Sequence, residues 1–297
     1  MAALTAKGIS AVAIELLARS LSLPRTVTML PGTDFSGSNG DTITVRVPQP
    51  GAARKQANPG DALTADDVNE VPVDVTLSHL YHLKNLSDQE ATYGLEDFAS
   101  QVTRVQVAAV ATKAEDELAS VMNALSADGT IKFAKTASDD DTDSVILAAR
   151  EALGKNNAPP SDRYLAVAPD IATRILSVDK FVKANESGST DALRDAIIGR
   201  IYGFTVVESN ALATGTAVAY HRSGFAFANR TPALPKGATQ AFAVAAQGLA
   251  LRQVFQYDAG HAQDQSLLST MAGAAAVYEK ADKSVKARWV KIGTSAT

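Results

Sequence analysis

Four aspartates near the middle of the chain are the densest group of residues that could do chemistry: Asp139, Asp140, Asp141 and Asp143. Clustered carboxylates can bind Ca²⁺, but a calcium-binding loop needs a central glycine and a glutamate at its twelfth position, where this chain has Arg150. The alternative is that these carboxylates lie at the N-terminus of a helix predicted at Val145–Leu153, where the helix dipole favours negative charge. We favour the second interpretation.

The four histidines do not predict a metal site. They are His79, His82, His221 and His261. His79 and His82 fall on opposite faces of a predicted strand, so they cannot bind one ion together without distorting the strand. We therefore predict that the histidines lie at the surface or at an interface.

The sequence contains none of the short motifs that mark nucleotide-binding, hydrolase or metalloprotease sites. Ser38 lies in a Gly-Ser-Asn-Gly loop that lacks the flanking strand and helix of a nucleophile elbow. The absence of cysteine excludes disulfides, thiolate catalysis and cysteine-based zinc sites. We predict no catalytic, cofactor-binding or metal-binding residues, no cofactor, and no enzymatic activity. An α/β enzyme with an unrecognised site stays an alternative.

Composition indicates an ordinary globular protein. The chain has 297 residues, of which 46% are hydrophobic and 20% are charged, so it is long enough for about two domains. The net charge of −4 gives no overall attraction for nucleic acid or anionic lipid, and no apolar run is long enough to span a membrane. Basic residues thicken near the C-terminus, either as a solvated strand edge or as a contact with nucleic acid or another subunit: Lys280, Lys283, Lys286, Arg288 and Lys291.

The longest predicted element is a helix at Leu95–Leu125, a rod of about 45 Å without proline or glycine. Two runs of helical spacing predict its buried stripe: Phe98, Val102, Val105 and Ala109, then Leu118, Val121, Met122 and Leu125. A helix of this length needs a sheet or neighbouring subunits to cover that stripe. We interpret it as a structural helix.

A long two-stranded ribbon is predicted before this helix. Ile43, Val45 and Val47 alternate along the first strand, and the polar segment Pro48–Glu70 follows. The return strand is predicted over Val71–Leu83, with Tyr81 and Leu83 on the same face as its valines. An isolated two-stranded ribbon is marginally stable and exposes its edges, so we expect this one to be stabilised by lying on another chain.

The remaining segments predict an amphipathic N-terminal arm and an α/β region. The predictions are a helix near Ile9–Ser20, an extended Thr26–Leu30, a strand at Arg163–Pro169, helices capped by Asp170 and Asp191, a turn and strand in Gly199–Asn210, a strand-turn-strand at Thr216–Ala228, a strand pair at Gln240–Tyr257, and strands at Ser266–Val277 and Val285–Ile292 beside the long helix.

Taken in order, these elements resemble the major capsid protein of tailed bacteriophages, which has the Hong Kong 97-type fold, and specifically the branch similar to the coat protein of phage P-twenty-two. The resemblance is carried by GDTITVRVP at 40–48, by VPVDVTLSHLYHLKNLSDQE at 71–90, by the helix at 95–125, by RYLAVAP at 163–169 and by IIGRIYGFTVVESNAL at 197–212. It implies an α+β fold. The inserted domain of the P-twenty-two coat protein has no counterpart here.

The resemblance also implies a division of the chain. Residues 1–40 would be an N-terminal arm, 41–90 an extended loop or β-hairpin flap, 91–130 and 256–297 a peripheral domain with a spine helix, and 131–255 an axial domain. Gly40 and Gly94, which flank the flap, are the expected hinges.

The implied function is structural. The protein would assemble with itself, as hexamers and pentamers, into the icosahedral procapsid and capsid of a tailed double-stranded DNA bacteriophage. No fused scaffolding domain precedes the arm, which implies a separate scaffolding protein. The other expected partners are a portal protein, a decoration protein and packaged DNA bound without sequence specificity. No membrane is expected to be involved. The expected location is the virion, after assembly in the host bacterial cytoplasm. The alternative is the shell subunit of an encapsulin-like compartment.

Overall fold

The computed structural model describes residues 22–30, 42–48, 53–56, 58–60, 62–63, 65, 70–88, 102–134, 139–178, 197–237, 240–246, 249–278 and 288–294. Several predicted features fall outside these ranges. They are the N-terminal helix near Ile9–Ser20, residues 95–101 of the long helix, both expected hinge glycines, Ser38 and the expected helix cap Asp191.

Within the described ranges the chain forms strands β1 (Thr28–Leu30), β2 (Thr42–Pro48), β3 (Glu70–Thr76), β4 (Ser78–Ser87), β5 (Lys132–Phe133), β6 (Arg163–Val167), β7 (Ile197–Ile201), β8 (Phe204–Glu208), β9 (Ala217–His221), β10 (Phe225–Arg230), β11 (Gln240–Ala246), β12 (Leu249–Asp258), β13 (Gln263–Ala276) and β14 (Trp289–Thr294). The helices are α1 (Arg104–Ala124), α2 (Asp139–Lys155) and α3 (Pro169–Leu176), with 3₁₀ turns at Leu23–Thr26 and Arg222–Gly224.

The first sheet is organised around β13. One side of this 14-residue strand pairs with β12 over its first half and with β10 over its second half, and the other side pairs with β4. The sheet order is β1-β10-β13-β12-β11, with β4 on the free side of β13. At the change of partner, the buried Asn229 amide donates to the Thr270 hydroxyl (2.8 Å), which in turn donates to the Ala250 carbonyl (2.7 Å). These bonds satisfy polar groups where three strands meet.

Helix α1 covers this sheet, which confirms the predicted long helix over its described part. Its buried face is Gln106, Val107, Val110, Ala111, Ala114, Leu118, Ala119 and Met122. The placement of Val105 in the buried stripe was wrong, because its side chain is 56% exposed. The buried face instead runs through polar Gln106, whose amide donates to the Ser266 carbonyl (2.7 Å) and accepts from the Ser266 hydroxyl (3.0 Å). Because its hydrogen bonds are satisfied, Gln106 can lie in the buried face of α1, and Val105 then lies on the exposed face.

The second sheet has the order β5-β14-β9-β6-β8-β7. One face packs on α2 and α3 through a core that includes Leu165, Val206, Ala219 and Ile292. The opposite face, with Ala166, Val207, Val218 and Tyr220, joins the core beneath α1. Alternate residues of the same strands therefore serve two cores, as the two-residue period of a strand requires.

Strands β7 and β8 form a tight hairpin, whereas the sequence predicted that Ile197 and Ile198 end a helix. The two turn residues, Tyr202 and Gly203, both have positive φ (47° and 85°), as a two-residue type I′ hairpin turn demands. Asp170 is also not the cap of α3. The capping residue is Ala168, and the Asp170 carboxylate accepts instead from the Gly215 amide at 2.8 Å.

The predicted strand-turn-strand at Thr216–Ala228 is present, but its two strands belong to different sheets. β9 lies in the second sheet and β10 in the first, so the chain crosses between the sheets at the 3₁₀ turn. Strands β10–β12 share the first sheet with β13, whereas β14 returns to the second sheet beside β9. The sheets thus divide the strands differently from the predicted segments 131–255 and 256–297.

Substitution by aspartate should affect the free energy of unfolding very differently on the two faces of α1. Leu118→Asp places an unpaired charge in the core and should lower the free energy of unfolding by about 4 kcal/mol or more. Val105→Asp, the matched control on the exposed face, should change it by no more than about 0.5 kcal/mol. Chemical denaturation followed by circular dichroism measures both; equal losses would refute this orientation of α1.

Candidate assembly surfaces

The predicted pairing of the two ribbon strands is present as the hairpin of β2 and β3, with Ile43 opposite Val75 and Val45 opposite Val73. The predicted return strand, however, is broken at Leu77 into β3 and β4.

The break changes which residues face inward. Val71, Val73, Val75 and Leu77 are buried, but beyond the break the pattern shifts by one residue and Leu80 is buried instead. The prediction that Tyr81 and Leu83 share the face of the valines was therefore wrong; these side chains are 64% and 45% exposed. The physical reason is that β3 pairs with β2 whereas β4 pairs with β13, and one step of the alternation is lost at the bend between them.

The base of the hairpin is covered by its own subunit. Ile43, Val75 and Leu77 pack on Ala226 and Ala228 of β10 in a small separate core. This differs from the expectation that the ribbon depends on another chain.

A glycine makes this close approach possible. A Cβ on Gly273 would lie 2.0 Å from the Thr76 carbonyl oxygen, so only glycine lets the chain cross β13 here. Beyond this covered base, between β2 and β3, the described Leu63 is 82% exposed.

A buried tyrosine links the N-terminal segment to the second sheet. The Thr26 hydroxyl donates to the Leu23 carbonyl (2.7 Å), so the Tyr220 hydroxyl, 2.5 Å from the Thr26 oxygen, is the donor in the bond between them. Tyr220 is completely buried, and this burial raises the pKa of its phenol well above the ordinary value of about 10.

Glu115 ties α1 to both of its neighbours. One carboxylate oxygen, Oε1, accepts from the Ser22 hydroxyl (2.6 Å) and from the Ser209 hydroxyl (2.9 Å). Ser22 precedes β1 and Ser209 follows β8, so a single oxygen joins the N-terminal segment, the helix and the second sheet. Hydrogen bonds to a charged acceptor are stronger than those between neutral groups.

The C-terminal end of α1 is fixed to the second sheet by a further set of bonds. The Asn123 amide donates to the Ala211 carbonyl (3.2 Å) and accepts from the Ala213 amide (3.0 Å). The Lys291 ammonium of β14 donates to the Asn123 carbonyl (2.6 Å), and burial lowers its pKa. Helix α1 therefore holds the two sheets together.

Aromatic side chains fill the space where the sheets meet. Tyr220 and Phe225 pack edge to face with ring centroids 5.2 Å apart, and Trp289 lies 6.5 Å beyond Phe225. The Trp289 indole donates to the Val277 carbonyl at 3.3 Å, so its polar group is satisfied inside the core.

The acidic run lies at the N-terminus of α2, as favoured above, because the helix begins at Asp139. The Asp141 carboxylate accepts from the Ala134 amide (2.7 Å) and pairs with Arg174 (2.6 Å), whose guanidinium lies 5.2 Å from the centre of the Phe133 ring. These contacts tie β5 and α2 to α3.

Asp143 of the same run accepts from the hydroxyl of Tyr202. This hydrogen bond raises the pKa of the Tyr202 phenol. Among the described residues, no group of three or more His, Asp or Glu side chains is placed to hold a metal ion.

The structure separates the four histidines. His79 is exposed and stacks on Tyr81 (5.7 Å), whereas His82 turns the other way and is half-buried, as strand alternation predicts. His221 accepts from the Ser223 amide at 3.2 Å, and burial lowers its pKa. His261 is exposed, and its hydrogen bond to Asp258 (2.7 Å) lowers the pKa of that carboxyl.

Of the basic residues near the C-terminus, the structure describes Arg288 and Lys291. Arg288 donates to the Ser223 hydroxyl at 2.8 Å, and Lys291 is held by Asn123 as described above. These two cations therefore have structural roles inside the subunit. In the part of the chain that is described, no helix combines the length and apolarity needed to cross a bilayer.

The sequence profile of the family described as phage capsid protein matches residues 85–276, well over half of the chain. The chain belongs to the phage capsid protein family. The match runs from the end of β4 through α1 and most of both sheets, so it covers the framework described above. No curated protein matches this capsid protein.

Solved structures give the same fold. The capsid protein is similar to a chain in a structure of Mycobacterium phage Che8 (20% identity, TM-score 0.57, covering 93% of this chain and 90% of that one). It is also similar to the capsid of Ralstonia phage GP4 (12%, 0.60, 92% and 87%) and to a virus-like particle from Pyrococcus furiosus (12%, 0.53, 95% and 96%).

These findings confirm the predicted α+β, Hong Kong 97-type fold and the role of a phage shell subunit. The protein is a structural component of the virion capsid. Its relation to the P-twenty-two branch stays a prediction.

The buried tyrosine predicts a loss of stability at alkaline pH. Above about pH 10 the unfolded tyrosine ionises, while burial keeps Tyr220 neutral in the folded protein. This contribution to stability is complete below about pH 10, and the loss above it is up to about 1.4 kcal/mol per pH unit.

The Tyr220→Phe variant lacks this contribution, so its free energy of unfolding should fall less steeply from about pH 10 to about pH 11. Denaturant titrations at each pH measure the slope, and Tyr81→Phe, at an exposed site, should keep the original slope. Identical slopes in all three proteins would refute the role of the buried phenol.

Proposed function

We propose that this capsid protein builds the icosahedral head of a tailed double-stranded DNA bacteriophage through contacts between copies of itself, arranged as hexamers and pentamers. The single observation that carries the proposal is the family match over residues 85–276. Each contact between subunits can be modest, because a closed shell repeats it many times and gains avidity from the repetition.

In this proposal α1 is the spine helix and the first sheet belongs to the peripheral domain. The second sheet, with α2 and α3, is the axial domain that gathers around the five-fold and six-fold axes. Membership of the sheet built on β13 favours assigning β10–β12 to the peripheral domain, and pairing with β9 favours assigning β14 to the axial domain. Residues 1–40 remain the proposed arm, 41–90 the extended loop, and Gly40 and Gly94 the proposed hinges.

The tip of the hairpin is the proposed clamp on a neighbouring subunit. The covered base fixes the direction in which the hairpin leaves its own subunit, and the exposed Leu63 offers an apolar contact at the tip. A clamp anchored in one subunit and closed on the next accounts for both features.

The other proposed partners are a separate scaffolding protein, a portal protein, a decoration protein and the packaged DNA. A net charge of −4 fits a shell that encloses DNA without reading its sequence. Assembly would take place in the host bacterial cytoplasm, without a membrane and without catalysis by this chain.

An encapsulin-like compartment is the second candidate, favoured by the similarity to the virus-like particle from Pyrococcus furiosus over 95% of this chain. The two candidates differ in their need for helpers. A compartment subunit closes into a small uniform shell by itself, whereas a scaffold-dependent head protein gives capsomers or aberrant shells without its scaffold.

Electron microscopy of the purified chain tests the proposal. The chain should be expressed alone and together with the genes adjacent to its own. Uniform shells that require the adjacent genes support the phage head, and uniform shells from the chain alone support the compartment. Absence of any shell or capsomer under both conditions would refute assembly altogether.

Replacing residues 49–69 by Asn-Gly, a sequence suited to a two-residue hairpin turn, separates folding from assembly. The base of the hairpin is covered by its own subunit, so the free energy of unfolding should change by less than about 1 kcal/mol. Shell yield in electron micrographs should fall at least tenfold, because the clamp is lost. Normal shells from this variant would show that the tip is not a clamp.

A further inference from the structure

The outer edge of β11 has no strand partner within the part of the chain that the structure describes. β11 is seven residues long and pairs with β12 in unbroken antiparallel register from Gln240 opposite Phe255 to Ala246 opposite Leu249. Its sequence, QAFAVAA, contains no charge and no proline, and among the described residues no strand pairs with its other side. An exposed, regular and apolar edge is a template for pairing with another chain.

The other edge strands that the structure describes each carry a feature that discourages pairing. β1 and β5 have three and two residues, and β7 has an irregular register at Ile197/Gly199 and a charged Arg200. The β2–β3 hairpin carries Pro48, Pro72 and several charges, and β4 carries Lys84. Short edges, charges, prolines and bulges are the usual protections of strand edges. β11 has none of them.

We infer that β11 pairs with β11 of a second copy of this chain, antiparallel and across a two-fold axis through Ala243. The inference rests on the proposed self-assembly. Identical surfaces meet at a two-fold contact, so the strand must be complementary to itself. With the axis at Ala243, Phe242 of each copy faces Val244 of the other, and Ala241 faces Ala245. An aromatic residue opposite a β-branched one is a favourable cross-strand pair.

The side chains of β11 are compatible with this pairing on both faces of the sheet. Phe242 and Val244 are half-buried on the face that α1 covers, and Val244 packs against the core beneath that helix. Ala243 and Ala245 are exposed on the opposite face. Pairing would continue the row of large apolar side chains on one face, and the row of alanines on the other, across both subunits along about 24 Å of strand. A second copy thus matches the edge without a change in either strand.

Cross-linking tests the contact directly, because the natural chain has no cysteine. In shells of the full chain carrying Ala243→Cys, mild oxidation should convert most subunits to disulfide-linked dimers on non-reducing gels. The control is Ser120→Cys, at an exposed position of α1, which should stay monomeric. A dimer yield no higher than the control, or a cross-link to a different protein such as a scaffold, would overturn the inference.

The register has its own test. Ala241→Cys and Ala245→Cys should each give no dimer alone, because like positions lie about 14 Å apart across the axis. Shells assembled from a mixture of the two variants should give the dimer. Dimers from either variant alone would overturn the axis at Ala243.

Ala243→Lys gives a third measurement. It places two like charges at the axis and should lower shell yield at least tenfold, while the melting temperature stays within about 2 °C. Undiminished shell yield from this variant would contradict the pairing. If unsubstituted shells form but Ala243→Cys gives no dimer, only this inference fails. If the unsubstituted chain forms neither shells nor capsomers, alone or with the adjacent genes, the proposed function fails with it.

Discussion

The subunit depends on one buried stripe, the face of α1 that runs from Gln106 to Met122. Its first half packs on β4 and β13, and its second half reaches Val207 of β8 and Leu212 in the connection that follows β8. Helix α1, buried between the two sheets, joins one face of each sheet in a continuous core, and the aromatic residues at the junction extend this core to Trp289. The hydrogen bonds of Glu115 and Asn123 then fix the angle between the sheets, which burial alone leaves open because it is non-directional.

Local patterns were sufficient where one physical rule decided the outcome. Alternation predicted the strands β2 and β3 and the separation of His79 from His82, and charge predicted the acidic start of α2. They failed where tertiary contacts decided. Gln106 is buried because β13 supplies its hydrogen-bond partners. The alternation of the return strand breaks at Leu77 because its two halves pair with different strands, β3 with β2 and β4 with β13. Neither partner is visible in the local sequence.

The assembly surfaces were predictable only in part, for a related reason. A long polar insertion between two apolar strands indicated the hairpin, but the alanines of β10 that cover its base lie about 150 residues away in the chain. Gly273 carries no signal beyond being a glycine in a strand, and its role emerges only when Thr76 crosses it. The order of the elements along the chain indicated the family, because each of the segments by itself is only a weak signal.

The crossing at Gly273 also allows the length of the hairpin to vary without a change in the rest of the subunit. With its root fastened to β10 and β13, the hairpin keeps its place in the subunit whatever length of chain lies beyond Pro48 and Glu70. Doubling such a connection costs only about 0.6 kcal/mol of chain entropy. Insertions there, foreign peptides included, would therefore change the free energy of folding very little.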